Sequence, residues 1–487
     1  MTHNRNQHIM SQAPVLPASS TSWWRYMESY HWFVFVMAAL AWLFDCFDQQ
    51  IFILFRDNAL KQLHLPEGAD VKSYGGYATS IFVAGWATGG LIFGSVGDRI
   101  GRAKTLTITV LLYSLFTGLS ALSTSWIDFA IYRFITGLGV GGVFGLAVAL
   151  IADTLPDQAR PGALGMLQAL SAVGNISAGA VSMWLGHLID VHKTLPTDVF
   201  RITPENAWRI AFLLGAIPAF LCVFIQFRLK EPEKWVKARE AGRLSGAKFG
   251  SYVELLGPGR WRKPALLGMM LCISGVIGLW GIGFFAPELV GDVINTSLKA
   301  RGVDPTEIES KATFYKGLNS IIQNVGAFFG MIAFSYLAQW TGRKPAFIVA
   351  FIGALAATNM YFQMFKSIDD LWMSAVMGFF QLALFAGFAI YLPELFPTRL
   401  RSTGTSFCYN VGRFLAATGP FTLGILQKQL GDAAIARLPE TADNVAKAAA
   451  KLEAFREATS WVSLVFVFGL FIVFLLPETK GRPLPED

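Results

Sequence analysis

The chain has 487 residues, 53% of them hydrophobic and only 15% charged, with a mean hydropathy of +0.46. That composition excludes a soluble globular protein of this length and leaves an integral membrane protein. The formal charge of +7 does not point to nucleic acid, because residues 228–263 alone hold ten Lys and Arg against four Asp and Glu, and a basic loop beside membrane helices marks the cytoplasmic face.

A hydrocarbon layer of ~30 Å takes ~20 apolar residues to cross. Windows of that length predict membrane helices over 32–55, 77–96, 105–122, 127–151, 162–189 and 208–227, then over 264–290, 314–340, 346–365, 371–392, 402–426 and 460–476. The expected organisation is a cytoplasmic tail (1–31), a first six-helix bundle (32–227), a basic cytoplasmic linker (228–263), a second six-helix bundle (264–476) and a cytoplasmic tail (477–487). Twelve spans put both termini on one side, and the basic residues make that side the cytoplasm of a plasma (inner) membrane. The first apolar run has no cleavable leader character and reads as an uncleaved insertion signal. Residues 291–311 and 427–459 read as long outside loops, the second with a surface helix.

Two motifs recur at one offset. The turn containing Gly94, Asp98, Arg99, Gly101 and Arg102 returns around Gly342 and Arg343, 241 residues later, and Asp153, Pro156 and Arg160 return as Glu394, Pro397 and Arg401 at the same spacing. A shared register argues for two similar halves, as in transporters built from internal repeats. Glycines permit a tight turn, and Asp98 can cap a helix or pair with an arginine. These residues are read as a conformational latch, against the plainer alternative of a charged turn that fixes topology. In the second half Gln339 stands where the aspartate would, so a latch there should be weaker.

Ionisable groups at membrane depth cost ~2.5–3.5 kcal/mol each, which makes them functional candidates. Asp45 and Asp48 lie at i and i+3 on one face, where two ionised carboxylates repel and protonating one relieves both. They are read as the proton-coupling pair, Asp48 slightly ahead, with Arg133, near the outer end of its helix and expected to be more exposed than Arg413, assisting as a coupling or packing residue in preference to touching substrate. The alternative is a permanent pairing of one aspartate with an arginine. Arg413, with Tyr409 and Asn410 on nearby faces, suits a bidentate grip on a carboxylate; a fixed salt bridge to Asp45 or Asp48 is the competing reading. Gln168, Asn319 and Gln323 offer neutral polar contacts to a substrate or glue between helices, and Trp280 and Tyr391 could stack on a substrate ring, although packing or interface anchoring is the commoner role of such residues. The glycines from Gly137 to Gly145 lack the Lys of a phosphate loop and read as helix packing. Cys46, Cys222, Cys272 and Cys408 form no metal-ligand spacing. No metal, no cofactor and no paired nucleophile and base is expected, so an enzyme is not.

The turn from Gly94 to Lys104, Arg133-x-x-x-Gly137-Leu138-Gly139-Val140-Gly141-Gly142, Pro393-Glu394-Leu395-Phe396-Pro397-Thr398-Arg399 and Pro477-Glu478-Thr479-Lys480-Gly481-Arg482 together resemble the major facilitator superfamily, in the branch of sugar porters, aromatic-acid and metabolite:proton symporters and sialate transporters. The resemblance implies an all-α membrane fold of twelve helices in two pseudo-symmetric six-helix bundles around a central cavity, alternating access, and the proton gradient as energy source. Gln168 falls where sugar porters carry a helix 5 glutamine, but Gly278-Leu279-Trp280-Gly281-Ile282-Gly283 replaces their paired glutamines in helix 7. Asp45-Cys46-Phe47-Asp48 and Tyr409-Asn410-Val411-Gly412-Arg413 resemble the acid carriers, although Val143 stands where those tend to have a glutamate. The expected function is proton-coupled symport of a small organic acid (aromatic, hydroxy or sugar acid) by a protein working as a monomer. A sugar or polyol carrier is the alternative, followed by a drug efflux antiporter and a nutrient sensor.

Overall fold

The computed structural model describes residues 22–66, 71–192, 206–282, 286–300, 302, 305–416, 419–439 and 444–486. The first half holds α1 (Ser29–Leu60), α2 (Val71–Ile100), α3 (Arg102–Ser120), α4 (Trp126–Thr154), α5 (Arg160–His192) and α6 (Ala207–Gln226). Two short helices, α7 (Glu233–Ser245) and α8 (Tyr252–Leu256), make the linker. The second half holds α9 (Arg262–Val276), which runs into a π-helical stretch (Ile277–Ile282), then α10 (Ala286–Ala300), α11 (Pro305–Thr341), α12 (Arg343–Met364), α13 (Trp372–Tyr391), α14 (Arg401–Ala416), α15 (Gly419–Ala436), α16 (Asn444–Ser463) and α17 (Val465–Leu475). Among the described residues, ten helices are long and apolar enough to cross a membrane, and Ala207–Pro218 is a shorter apolar helix.

One expectation needs correcting and another needs refining. The stretch 291–311 is mostly helix, because α10 and the start of α11 continue the neighbouring spans instead of leaving a loop. The helix expected within 427–459 is present as α16, preceded by the end of α15, but it runs on toward the last span and is pinned to α12 where Asn359 donates to Ser463 Oγ (2.9 Å) and Ser460 Oγ donates to Asn359 (2.7 Å). The tail up to residue 21 and the side chains of Cys222 and Trp280 lie outside the described residues.

The internal repeat is physical. A single residue, Gly101, joins α2 to α3, and a single residue, Gly342, joins α11 to α12; their φ values of 122° and 111° are open to glycine and strained for other residues. Each turn is closed by a carboxylate from a distant segment. Glu231 accepts from the backbone N–H of Ala103 (3.2 Å) and Lys104 (3.0 Å), and Glu478 accepts from Arg343 and Lys344 (both 2.9 Å), supplying the N-terminal caps of α3 and α12. Burial pushes Glu478 up, but N–H groups of Arg343, Lys344, Lys480 and Thr479 outweigh it and hold its carboxyl below the usual glutamate range.

Small residues set the spacing of the helices. A Cβ on Gly85 or Gly89 would overlap the backbone of Phe134 or Leu138 in α4, and one on Gly137 or Gly141 would overlap the backbone of Phe82 or Trp86 in α2. Gly326, Gly330 and Gly378, each 241 residues on from Gly85, Gly89 and Gly137, make the same contacts between α11 and α13. Backbone-to-backbone approach of this kind needs glycine on the touching faces. Gly141→Val is therefore expected to force α2 and α4 apart and to yield little or no monodisperse protein on size-exclusion chromatography; wild-type yield and profile would contradict this packing.

Candidate functional site

Asp48 and Arg133 are both fully buried between α1, α3 and α4. Thr117 Oγ donates to Asp48 (2.8 Å), while Arg133 donates to Ser120 Oγ (2.8 Å) and Thr136 Oγ (3.0 Å) and lies over the rings of Phe212 (4.8 Å) and Phe52 (5.6 Å). The shortest distance between the two charges is 3.9 Å, from Arg133 Nη1 to Asp48 Oδ2, and neither of those atoms has a hydrogen-bond partner. The pair is thus close enough to attract strongly in a dry site, yet not locked by a direct hydrogen bond. The expectation that Arg133 would be the more exposed arginine is wrong. The helix it sits on is covered by α2 and α3, and hydroxyls from Ser120 and Thr136 make burial of the guanidinium tolerable.

Asp45, one turn earlier, faces a different partner. Gln49 donates to its Oδ2 (3.3 Å), its Oδ1 has no partner, and it sits within charge–charge range of Arg413. Arg413, at the end of α14 and only 5% exposed, is stacked over Trp86 from α2 (3.4 Å) and Tyr409 from its own helix (4.4 Å). Tyr409 in turn stacks on Phe144 of α4 (3.9 Å), which leans on Trp42 of α1 (5.2 Å). Among the described residues no carboxylate lies within hydrogen-bonding range of Arg413, and its Nε and Nη1 have no partner. The fixed salt bridge that the sequence left open is absent from this arrangement. Two aromatic faces offset the charge of the guanidinium, but its Nε and Nη1 donors are left unsatisfied.

The neutral candidates distribute as follows. Gln168 (Oε1), Asn319 (Nδ2) and Asn410 (Oδ1) are buried, and each keeps one polar atom without a partner. Asn319 accepts from Tyr361 (3.0 Å), Asn410 donates to Ser406 O (2.9 Å), and Gln323 is half-buried on α11. Tyr391 is not in this region: its hydroxyl donates to Pro477 O (2.6 Å) beside the α11–α12 turn, so it cannot stack on a ligand near Arg413. Among the described residues there is no group of His, Cys, Asp or Glu that could hold a metal ion.

At the turn end the halves are tied by charge. Asp98 sits at the start of α14, where it accepts from the N–H of Ser402 (3.2 Å) and Thr403 (2.8 Å) and from Thr403 Oγ (2.6 Å), and it also pairs with Arg102 (3.0 Å). Asp153 lies between arginines of both halves, Arg102 (3.0 Å) and Arg401, and Arg102 also donates to Thr398 O. Gly94 leaves room for Ser406 against α2. The other motif residues act within their own half or on the linker. Arg343 pairs with Glu394 (2.6 Å), Arg160 with Asp157, and Arg99 donates to Gly250 O (3.3 Å). The repeat-related position Gln339 bonds inside its own helix, to Ser335 O (3.1 Å), and the repeat counterpart of Ser402 is Pro161, which has no N–H to give.

Sequence reasoning missed the aromatic layer of Trp86, Phe144 and Trp42, the hydroxyl cradle of Thr117, Ser120 and Thr136, and the two capping glutamates. The glutamates alone left a legible mark, since each sits beside a proline shortly after the last helix of its half. Asp98→Ala is expected to leave the first amides of α14 uncapped. Backbone hydrogen exchange at Ser402 and Thr403 should then speed up ~10-fold or more, matching the loss of charge-assisted bonds of ~1.5–3 kcal/mol; unchanged exchange there would remove the cap.

The Major Facilitator Superfamily model matches residues 38–420. A putative metabolite transport protein of Haemophilus influenzae is 26% identical, covering 94% of this chain and 99% of its own length. The cis,cis-muconate transport protein of Acinetobacter baylyi is 27% identical over 72% of this chain and 78% of its own, and the sialic acid transporter NanX of Escherichia coli is 24% identical over 84% and 89%. The structure of the proton:xylose symporter XylE bound to 6-bromo-6-deoxy-D-glucose superposes with a TM-score of 0.71 at 18% identity, covering 94% of this chain and 98% of that one. Fold and relatives define a multi-pass membrane transporter of small molecules and not an enzyme. The chain belongs to the major facilitator superfamily, with two pseudo-symmetric six-helix bundles.

Proposed function

We propose that the protein is a proton-coupled symporter of a small organic acid, working by alternating access as a monomer in the plasma membrane with both termini cytoplasmic. The observation that carries this reading is Arg413: a buried guanidinium held between Trp86 and Tyr409, with two nitrogens unpartnered. A substrate carboxylate supplies the planar acceptor those nitrogens lack.

Charge balance then couples the acid to a proton. With Asp45 and Asp48 ionised against Arg133 and Arg413, the site is neutral overall. Adding an acid anion alone leaves it at −1, and adding a proton alone leaves it at +1; either is costly in a dry site. Adding both restores neutrality, so the doubly loaded and empty forms are the ones able to change conformation, and one proton moves with each monoanion. Asp48, held next to Arg133 without a locking bond, is the better placed of the two to carry the proton, while Asp45 tunes Arg413. Gln168, Asn319, Asn410 and Gln323 serve the rest of the substrate. The Asp98–Asp153 cluster holds the turn end shut while the other end loads, and its one-sided chemistry makes the first-half turn the stronger latch.

A sugar or polyol carrier is the second reading, favoured by the unpartnered amide atoms of Gln168 and Asn319. Tryptophan fluorescence separates the two, because Trp86 contacts the proposed carboxylate grip. Titration of the detergent-purified protein with benzoate, lactate, a sugar acid and neutral hexoses should give saturable quenching with at least one acid and none with hexose. Quenching by hexose alone would establish the second reading.

A further inference from the structure

Away from the membrane interior, Arg99 at the end of α2 and Arg239 and Arg243 on α7 converge on a cavity of about 210 Å³ whose remaining walls are Gly242, Ala247 and Phe249. The cavity lining holds no acid. Neighbouring basic residues do have partners: Arg399 pairs with Glu254, Lys234 with Asp157 (3.9 Å) and Lys237 with Glu233 (3.8 Å). Among the described residues no carboxylate lies within 4.0 Å of the three guanidiniums that line the cavity. Arg239 rests on the ring of Trp235 (4.9 Å) and Arg99 donates to Gly250 O (3.3 Å), contacts that orient two of the three.

The scaffold around them is fixed from several sides. Trp235 Nε1 donates to Asp98 O (2.9 Å), Ser95 Oγ donates to Gly250 O (2.6 Å), and Gly250 N donates to Arg399 O (3.0 Å). The end of α7 is closed by Ala247 N–H donating to Gly242 O (3.0 Å), which occupies a carbonyl that would otherwise repel an anion. Three positive charges brought together around a small cavity repel unless an anion shares them, and guanidinium forks match the oxygens of a phosphate group.

We infer that this cavity is a phosphate-binding site that staples the linker to the end of α2. Because Arg99 lies one residue from Asp98, an occupant bridging Arg99 to Arg239 and Arg243 holds α7 against the turn while Asp98 caps α14, and so favours the closed turn end. The ligand chemistry is a phosphate monoester or diester. The site lies at the end of a membrane span, at headgroup level, so the source is an anionic lipid headgroup or a soluble phosphate compound.

The test uses full-length protein in phosphatidylcholine nanodiscs with and without phosphatidylglycerol, and separately in phosphatidylcholine alone titrated with inorganic phosphate at constant ionic strength. The readout is the thermal midpoint of the wild type, of the double variant Arg239→Gln/Arg243→Gln and of Lys237→Gln, a charge loss on the same helix outside the cavity. The wild type and Lys237→Gln should rise by on the order of 5 °C with the effective phosphate source, and the double variant should not. A response to phosphatidylglycerol alone assigns a lipid headgroup, and a response to inorganic phosphate assigns a soluble ligand. No response in the wild type, or an equal response in the double variant, overturns the site; equal loss in Lys237→Gln reduces it to general surface charge and overturns it as well.

Discussion

Arg413→Lys is expected to lower kcat/KM for acid uptake ~30-fold or more, while leaving the thermal midpoint near that of the wild type. Lysine keeps the positive charge, so the balance against Asp45 survives. It loses the planar fork that meets a carboxylate with two parallel bonds, and it cannot lie flat between Trp86 and Tyr409 as the guanidinium does at 3.4 and 4.4 Å. A charge-assisted bond is worth ~1.5–3 kcal/mol, which converts to a factor of ~10 to 150. The loss should appear chiefly in KM, because the grip is on the substrate itself. Unchanged uptake would make Arg413 a packing residue. Collapse of folding would be seen as a lost midpoint, and Arg413→Gln, which preserves planarity without charge, would then test the same point.

Asp48→Asn is expected to abolish uphill accumulation while sparing exchange of labelled for unlabelled acid. The amide is a near-isosteric partner for Thr117 Oγ, so the hydrogen bond of 2.8 Å has a substitute and the surrounding packing is undisturbed. What disappears is a group able to bind and release a proton beside Arg133. In the charge account, this variant behaves as permanently protonated: substrate brings its anion into an already compensated site, crosses, and exchanges without moving a proton. Accumulation driven by an imposed proton gradient should fall to the level of protein-free vesicles, with exchange within a few-fold of wild type. Retained accumulation would move the coupling role to Asp45.

Most of the architecture is legible in the sequence. Long apolar windows report helices because hydrocarbon forces backbone groups to pair within the segment, and the 241-residue offset between Gly101 and Gly342 announced the repeat that the single-residue turns display. Positions such as Asp98, Asp153 and Arg401 were legible as charged sites, since a charge at a span's end is rare enough to stand out. Their partners were not. That Asp98 caps α14, 304 residues away, and that Asp153 serves arginines of both halves are facts of docking between bundles, which local pattern does not encode. The misplacement of Arg133 has the same origin: distance along a helix told its depth, but not that α2 and α3 cover it. Likewise Trp86 and Phe144 looked like ordinary membrane aromatics, because nothing in the sequence marks which apolar side chain will face a charge. The loop read at 291–311 failed for another reason: polar helical extensions of spanning helices, such as α10 and the start of α11, resemble loops in a hydropathy window, whereas the Ala, Lys and Glu of 427–459 did mark the helix that is α16.

Proton coupling is read most directly as internal pH in proteoliposomes of the purified wild-type protein on addition of an acid that quenches its fluorescence, with protein-free vesicles alongside and uptake of the labelled acid read in parallel. A proton symporter acidifies the lumen above the control, in step with uptake at one proton per monoanion, and this acidification is absent in Asp48→Asn. Uptake of the acid with no acidification beyond the control, or labelled hexose equilibrating where the acid does not, would contradict proton symport of an acid.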